Sequence, residues 1–355
     1  MKKTFSLLRQ ILIISSIAFI LTEITFRIYH RINPSFMFYD TSYNRWRGKP
    51  FAEDYDFRLN SKGFKDLEFS TQKEAGTHRI IALGDSFAYG VVPYQNNYLT
   101  LLEEKLNSNN KQKIEVYNMG LIGTGPKDYL SVLVNEGLSF NPDMVVISFY
   151  VGNDFIDNKI TAKERKLLSD RDSYVISFFK GLIKIHSQYR GHIYFTKDDK
   201  YEDEGATFTD EVYLERTQER SLIFASNPAE PEFFQNAFND ALGDLLKIKE
   251  ICDYQNIKLV VVLIPDEVQV RPTLQQKVIE AFGVGADAFD FQLPNRLLAA
   301  EFEKNNINYL DLFDDFLVVS DRTSLYKPND THWNIAGNKL AAEAMEKYLS
   351  DRFFD

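Results

Sequence analysis

The sequence is poor in what many functions require. Cys252 is the only cysteine in 355 residues, so no intrachain disulfide and no cysteine-built metal site can form. That count leaves the redox compartment open. Basic residues are not in surplus: 41 Lys and Arg stand against 51 Asp and Glu, a formal net charge of −10, and no Lys/Arg block stands out. Binding by phosphate neutralisation is therefore disfavoured, and nucleic acid is not an expected partner. Neither a Gly-x-Gly-x-x-Gly order nor a phosphate-binding lysine loop occurs, which removes the common nucleotide fingerprints. The five histidines include no His-x-x-x-His pair, and no metal or other cofactor is expected. Internal repeats and low-complexity tracts are absent as well. What remains is a chain with 44% hydrophobic residues, an ordinary globular value that makes wholesale disorder improbable.

Long hydrophobic runs are also scarce. The one that exists follows Lys2 and Lys3, extends from Phe5 to Leu21, and is broken by Arg9 and Gln10. A membrane span takes about 20 mostly apolar residues. This segment reaches that length only if Arg9 snorkels at one end and the span continues past Glu23 through Ile24 and Phe26. No small-x-small cleavage site follows Leu21, so residues 1–32 are expected to be an uncleaved signal anchor; a cleaved signal peptide and a buried or interfacial helix are the alternatives. A signal-type N-terminus places the bulk of the chain outside the cytoplasm, although Lys2, Lys3 and Arg9 are nearly balanced by Arg27 and Arg31 beyond the run.

Residues 33–76 are polar and aromatic without sustained periodicity, which reads as a stalk or wrapping segment. A catalytic-type domain is expected over residues 77–355. Apolar, β-branched runs at Arg79 to Leu83, Ile114 to Asn118, Met144 to Phe149, Lys258 to Ile264 and Asn308 to Leu312 give five candidate strands. Helical spacing lies between them at Leu99 to Leu106, Lys127 to Gly137, Phe234 to Tyr254 and Ala336 to Leu349. Strands alternating with helices imply an α/β fold, a three-layer α/β/α sandwich around a mostly parallel sheet. Residues 156–231 break the alternation and read as an insertion able to roof a site.

Ligands in parallel sheets sit at the carboxyl ends of the strands. The first candidate strand runs into Gly84-Asp85-Ser86-Phe87, which projects a hydroxyl where the chain must turn into a helix. The bland alternative is that Asp85 or Ser86 merely caps that helix. Ala88 stands where a nucleophile elbow carries its second glycine, so an α/β-hydrolase is disfavoured. After the second strand, Gly120, Gly123 and Gly125 allow a backbone N–H to approach an oxyanion, or simply make a tight turn. After the third, Gly152-Asn153-Asp154 offers a side-chain amide, or an ordinary Asn-Asp turn. Before the last helix, Asp330-Thr331-His332 supplies an acid and a base, with an N-cap as the alternative for the acid.

Taken in this order, the four blocks resemble the SGNH (GDSL-like) hydrolase family, whose marks are a Gly-Asp-Ser nucleophile, a glycine, an asparagine in a Gly-Asn-Asp setting, and a C-terminal Asp/His pair. The resemblance covers roughly Arg79 to Leu349 and implies a flavodoxin-like sheet. It also implies Ser86 as nucleophile, His332 as base, Asp330 as its partner, and an oxyanion hole from Ser86, Gly123 and Asn153. Gly123 is preferred to Gly120 because it lies five residues after Asn118. One departure stands out: the family's acid usually lies three residues before the histidine, whereas position 329 is Asn and the acid lies two before. Asp-Thr-His-Trp looks like the wording of bacterial exopolysaccharide O-acetyltransferases, and Asn60-Ser61-Lys62-Gly63-Phe64 resembles membrane-anchored bacterial SGNH proteins. The implied activity is hydrolysis of an O-acyl ester through a Ser86 acyl-enzyme, with an acyl ester, an acylated carbohydrate included, as substrate. The alternatives are transfer of the acyl group to a polysaccharide hydroxyl and a non-catalytic protein that binds glycans or proteins.

Overall fold

Strands β1 (Glu53–Asp54) and β2 (Phe57–Arg58) form a short antiparallel pair, and β3 (His78–Gly84), β4 (Ile114–Asn118), β5 (Met144–Tyr150), β6 (Lys258–Ile264) and β7 (Asn308–Asp311) form one five-stranded sheet in the order β4-β3-β5-β6-β7. Every pairing in it is parallel. The expected strands are all present, within one residue at each end. β5 is buried along its whole length, which is why its sequence is a continuous apolar run rather than an alternation. A computed structural model describes residues 2–32, 48, 50–55, 57–156, 173–176, 178–179, 201–228, 231–320 and 324–354.

Helices cover both faces. On one, Ile80, Ala82, Val146 and Val262 meet Leu99, Leu102 and Leu106 of helix Tyr98–Asn109 and Ala341, Ala342 and Met345 of helix Ile335–Phe353. On the other, Ile81 lies beside Leu133 and Gly137, and helices Pro126–Asn135 and Pro231–Tyr254 pack on one another. The expected helix over Lys127 to Gly137 ends earlier, and Gly137–Phe140 tightens into a 3-10 turn. Helices Asp210–Ser221, Pro272–Phe282 and Leu293–Lys304 lie where the sequence pattern suggested none. Their buried faces explain this: Tyr213, Thr217 and Ser221 in the first, and only Leu274 and Val278 in the second, leave almost no apolar periodicity to read.

The described chain divides into two compact units. One comprises residues 1–45 and 163–196, and the other residues 46–162 and 197–355. In the first, Lys2–Ile32 is a single helix of 31 residues. Ser6–Ile28, 23 residues, is long and apolar enough to cross a membrane. Most of its apolar side chains are exposed, Leu12 at 67%, which speaks against a buried core helix, while Phe26 near its end meets Phe178 at 5.2 Å. Glu23 accepts hydrogen bonds from Ser173 Oγ at 2.9 Å and from the N–H groups of Tyr174 and Val175 at 3.0 Å each. Arg27 pairs with the same carboxylate at 2.9 Å.

The second unit begins before the sheet. Residues from 57 to 76 lie against it, with Leu59, Phe64, Lys65 and Asp66 buried. Of the insertion read from the sequence, residues 157–172 and 180–200 lie outside the described residues, while 201–228 belong to the same unit as the sheet. At the opposite end of β3 from Ser86, Arg79 is fully buried and satisfied. Its Nε bonds Glu115 at 2.9 Å, its Nη1 bonds the Phe140 carbonyl at 2.7 Å, and its Nη2 bonds the Gln72 carbonyl at 2.9 Å. Removing one partner of a buried ion pair strands the rest. Arg79→Met should lower unfolding free energy by about 3 kcal/mol, read from the denaturant midpoint; a loss under about 1 kcal/mol would contradict this accounting.

Candidate active site

The order β4-β3-β5 makes β3 the point from which connections depart in opposite directions, the crevice where open parallel sheets bind ligands. Three of the expected blocks follow these three neighbouring strands. The residue pairs Ala82 with Asn118 and Gly84 with Ser148 put their ends side by side.

Asp85 ends the turn after β3. One of its oxygens accepts the Phe87 N–H at 2.9 Å and caps helix Ser86–Tyr89. The capping reading therefore holds for Asp85, and it leaves Ser86 as the first helical residue, whose N–H has no partner within the helix. The Ser86 hydroxyl lies 2.8 Å from His332 Nε2 and 3.4 Å from Asp85 Oδ2. A hydroxyl has one proton, and the shorter contact takes it.

His332 sits on a hairpin-like turn. Tyr326 and Trp333 form an antiparallel bridge, the Lys327 N–H donates to the His332 carbonyl at 3.0 Å, and the Tyr326 hydroxyl donates to the Pro265 carbonyl at 2.7 Å. Trp333 is 1% exposed. It stacks on Phe316 at 4.9 Å and meets Phe87 edge-on at 4.9 Å. Phe87, next to the serine, also lies 5.2 Å from the His332 ring. The two halves of the site are thus clamped by their own chain neighbours.

Asp330 Oδ1 lies 2.7 Å from His332 Nδ1 and also accepts the His332 backbone N–H at 3.0 Å. The second bond spans two residues, an Asx turn, and it brings a carboxylate two positions upstream onto the ring. Asn329 precedes it with φ +47°, the left-handed conformation that Asn tolerates. Asp330 is not the cap of the last helix; Asn334 is, accepting the Gly337 N–H at 2.9 Å. Burial alone would push the Asp330 carboxyl up. The His332 hydrogen bond and charge, the Thr207 hydroxyl and the His332 N–H outweigh it and hold the group at about 2. An ionised carboxylate only accepts, so Nδ1–H is the donor to Asp330, and Nε2 is the ring nitrogen that faces Ser86. Asp85 shows the opposite balance: burial pushes it up to about 6 against the Phe87 N–H and His332.

The glycines of the second block separate by surroundings. A Cβ on Gly120 would lie 2.4 Å from the Tyr89 nitrogen and 2.6 Å from the Ala88 carbonyl carbon, so Gly120 lets this loop touch the serine helix. Gly123 has φ +67° and open space where a side chain would be. Asn153 is half-buried in the turn after β5. Its neighbour Asp154 holds that turn by accepting from the Tyr129 hydroxyl at 2.9 Å and the Tyr150 N–H at 3.0 Å.

Sequence reading missed Thr207 and Tyr213. The Thr207 hydroxyl donates to Asp330 Oδ2, and the Tyr213 hydroxyl, which donates to the Glu267 carboxylate, lies 3.3 Å from the Asp330 carbonyl. Both come from residues 201–228, more than a hundred positions upstream, with no motif to flag them. Among the described residues no cluster of metal-ligating side chains occurs.

No protein-family model and no curated protein matches this chain. Solved structures do. An acetyl xylan esterase, AlAXEase, is similar at 16% identity and TM-score 0.41, covering 76% of this chain and 99% of that one. A GDSL-like lipase from Bacteroides thetaiotaomicron is similar at 10% identity and TM-score 0.38, covering 77% and 88%. A lipase/acylhydrolase from Enterococcus faecalis is similar at 15% identity and TM-score 0.37, covering 78% and 96%.

The depressed Asp330 carboxyl sets an acid limit on stability. Its folded-state pKa lies below the ordinary 3.8, so the unfolded chain binds more protons between the two values. The stability it contributes is complete above the unfolded value and is lost as pH falls toward 2. Asp330→Asn has nothing to titrate, and its melting temperature should fall less steeply than wild type below about pH 4. Parallel acid limbs in a thermal unfolding series would contradict the assignment.

Proposed function

We propose that the chain is a serine esterase of the SGNH type, with Ser86 as nucleophile, His332 as general base and Asp330 as the carboxylate that orients it. The observation that carries this reading is the continuous hydrogen-bonded chain from Ser86 Oγ to His332 Nε2 at 2.8 Å and from His332 Nδ1 to Asp330 Oδ1 at 2.7 Å. A serine hydroxyl becomes a competent nucleophile when an adjacent base accepts its proton and a third group fixes that base.

In the acylation step His332 Nε2 takes the hydroxyl proton as Ser86 Oγ bonds to the ester carbonyl carbon. The carbonyl electron pair moves onto oxygen. That oxyanion is met by the N–H of Ser86, the N–H of Gly123 and the Asn153 side-chain amide, donors fixed in advance of the charge they stabilise. When the oxyanion collapses, the C–O bond to the alcohol breaks and the imidazolium returns its proton to the leaving oxygen. Deacylation repeats the sequence with water as nucleophile, freeing the acid and Ser86. Asp330, ionised throughout, stabilises the imidazolium in both steps.

The helix Ser6–Ile28 would tether this chemistry to a membrane as an uncleaved anchor, with residues 77–355 on the outer face. A cleaved signal sequence predicts a shorter mature chain, and the intact mass of the exported protein separates the two.

The purified chain should hydrolyse a short-chain aryl acetate. Ser86→Ala should lower kcat/KM by about 10⁶-fold, and Asn153→Ala should lower kcat by about 10²-fold with little change in KM. Ser86→Ala turning over at the wild-type rate would remove the assignment.

A further inference from the structure

Two buried side chains upstream of the sheet touch the end of the serine helix and the start of the loop after β4 without reaching the Ser86 hydroxyl. The segment that delivers them is Asn60-Ser61-Lys62-Gly63-Phe64. Asn60 Oδ1 accepts the N–H groups of Lys62 and Phe64 at 3.0 Å each, and its Nδ2 donates to the Leu67 carbonyl at 3.1 Å. Gly63 completes the turn at φ +80°, a conformation that glycine adopts without a Cβ penalty. Phe64 then plugs the core at 0% exposure, and Lys65 and Asp66 follow at 1% and 6%.

An ammonium has three protons to place, and Lys65 places all three. Its Nζ bonds Asp54 Oδ2 at 2.7 Å, the Gly90 carbonyl at 2.8 Å and the Val92 carbonyl at 2.7 Å. Gly90 is the residue that ends the helix begun by Ser86. Asp66 turns the other way. Its Oδ2 accepts the Asn118 N–H at 2.7 Å, and its Oδ1 accepts the Leu67 N–H at 2.7 Å and the Tyr94 hydroxyl at 3.0 Å. Asn118 ends β4; its side chain donates to the Ala88 carbonyl at 2.7 Å and accepts the Gly120 N–H at 2.9 Å. One dipeptide therefore grips the exit of the serine helix with its cation and the origin of the Gly120–Gly123 loop with its anion.

We propose that Lys65 and Asp66 are positioning residues for acyl transfer, setting the separation between the Ser86 turn and the Gly123 loop. This rests on the esterase reading of Ser86. Burial by itself does not account for these charges, because well-packed apolar residues replacing a whole buried ionic network are often neutral or stabilising, although removing one partner alone leaves the other unpaired. Burial drives the Asp66 carboxyl up to about 7 even against its hydrogen-bond donors, with the nearby Glu103 charge adding to the rise. The carboxyl is thus held there at a cost. What it supplies is direction, since a carboxylate accepting from the end of β4 fixes where the next loop starts. A misplacement of about 1 Å remote from the chemistry can lower turnover by about 10²-fold.

The test uses the full-length chain. Asp66→Asn is nearly isosteric but turns one acceptor into a donor, so either Asn118 or the Leu67 and Tyr94 pair loses its partner. The expected result is a kcat for an aryl acetate lowered about 10- to 100-fold when assayed well below the melting transition, KM within about twofold, and a lowered melting temperature, because a buried donor is left without its acceptor. Amide hydrogen exchange should accelerate at residues 86–90 and 118–123 and stay unchanged at 258–264. Lys65→Met should lower kcat in the same way and accelerate exchange at 87–92. If Asp66→Asn does not fold, Tyr94→Phe, which removes one donor to the same carboxylate, should give a smaller loss of the same kind. Wild-type kcat together with unchanged exchange in these variants overturns the proposal. Ser86→Ala, run in parallel, separates the two claims: full activity in that variant removes the esterase reading, while the exchange data still decide whether Lys65 and Asp66 hold the two loops.

Discussion

The hydrogen bond between Ser86 and His332 joins residues 246 positions apart, and most of the second unit is arranged around the need to close that distance to 2.8 Å. A contact of this kind tolerates little play, because a hydroxyl–imidazole bond weakens steeply with distance and angle. Neither partner lies on a long element. Ser86 opens a helix of four residues, and His332 stands on a turn. Their rigidity comes from what lies beside them: Phe87 and Trp333 in contact with one another, Tyr98 edge-on to Trp333 at 5.5 Å, and Phe316 stacked on it. Aromatic packing of this geometry gives large buried area at fixed orientation, which is what two short segments need in order to hold register.

The carboxylates illustrate how environment divides labour among identical groups. Asp330 is buried yet surrounded by donors, and stays ionised down to about 2. Asp85, fully buried beside Ser86, is raised to about 6, and its bond to Ser86, at 3.4 Å, is too long to compete with the imidazole. Asp66 is raised further by the same desolvation and meets backbone N–H rather than a reacting group. Only Asp330 combines ionisation with contact to His332, which suits it to stabilise a transient imidazolium.

Much of this was legible before any coordinates. Buried parallel strands are apolar on both faces, which makes β3, β5 and β6 legible as runs, while β7, Asn-Tyr-Leu-Asp and half-buried throughout, is the least marked. Gly-Asp-Ser, Gly-Asn-Asp and Asp-Thr-His are local patterns, and each falls at a strand end or before the last helix. What was not legible shares one property: it depends on contacts between distant polar residues. Thr207 and Tyr213 reach Asp330 from a segment whose helix buries Tyr, Thr and Ser, and no hydrophobic period marks it. Lys65 and Asp66 look in sequence like an exposed charge pair, and only the fold shows their burial. The two-residue spacing of Asp330 and His332 departs from the usual pattern of the family the sequence resembles, and the Asx turn explains how the ring is reached across it.

The central claim is that Ser86 is a nucleophile made reactive by His332 and Asp330, and its most direct measurement is covalent. Folded full-length protein treated with a fluorophosphonate should gain one adduct, mapped by peptide mass spectrometry to Ser86, and His332→Ala should slow that labelling strongly while the fold persists. Absence of an adduct on folded wild-type protein, or labelling at another serine at an equal rate, would contradict the account.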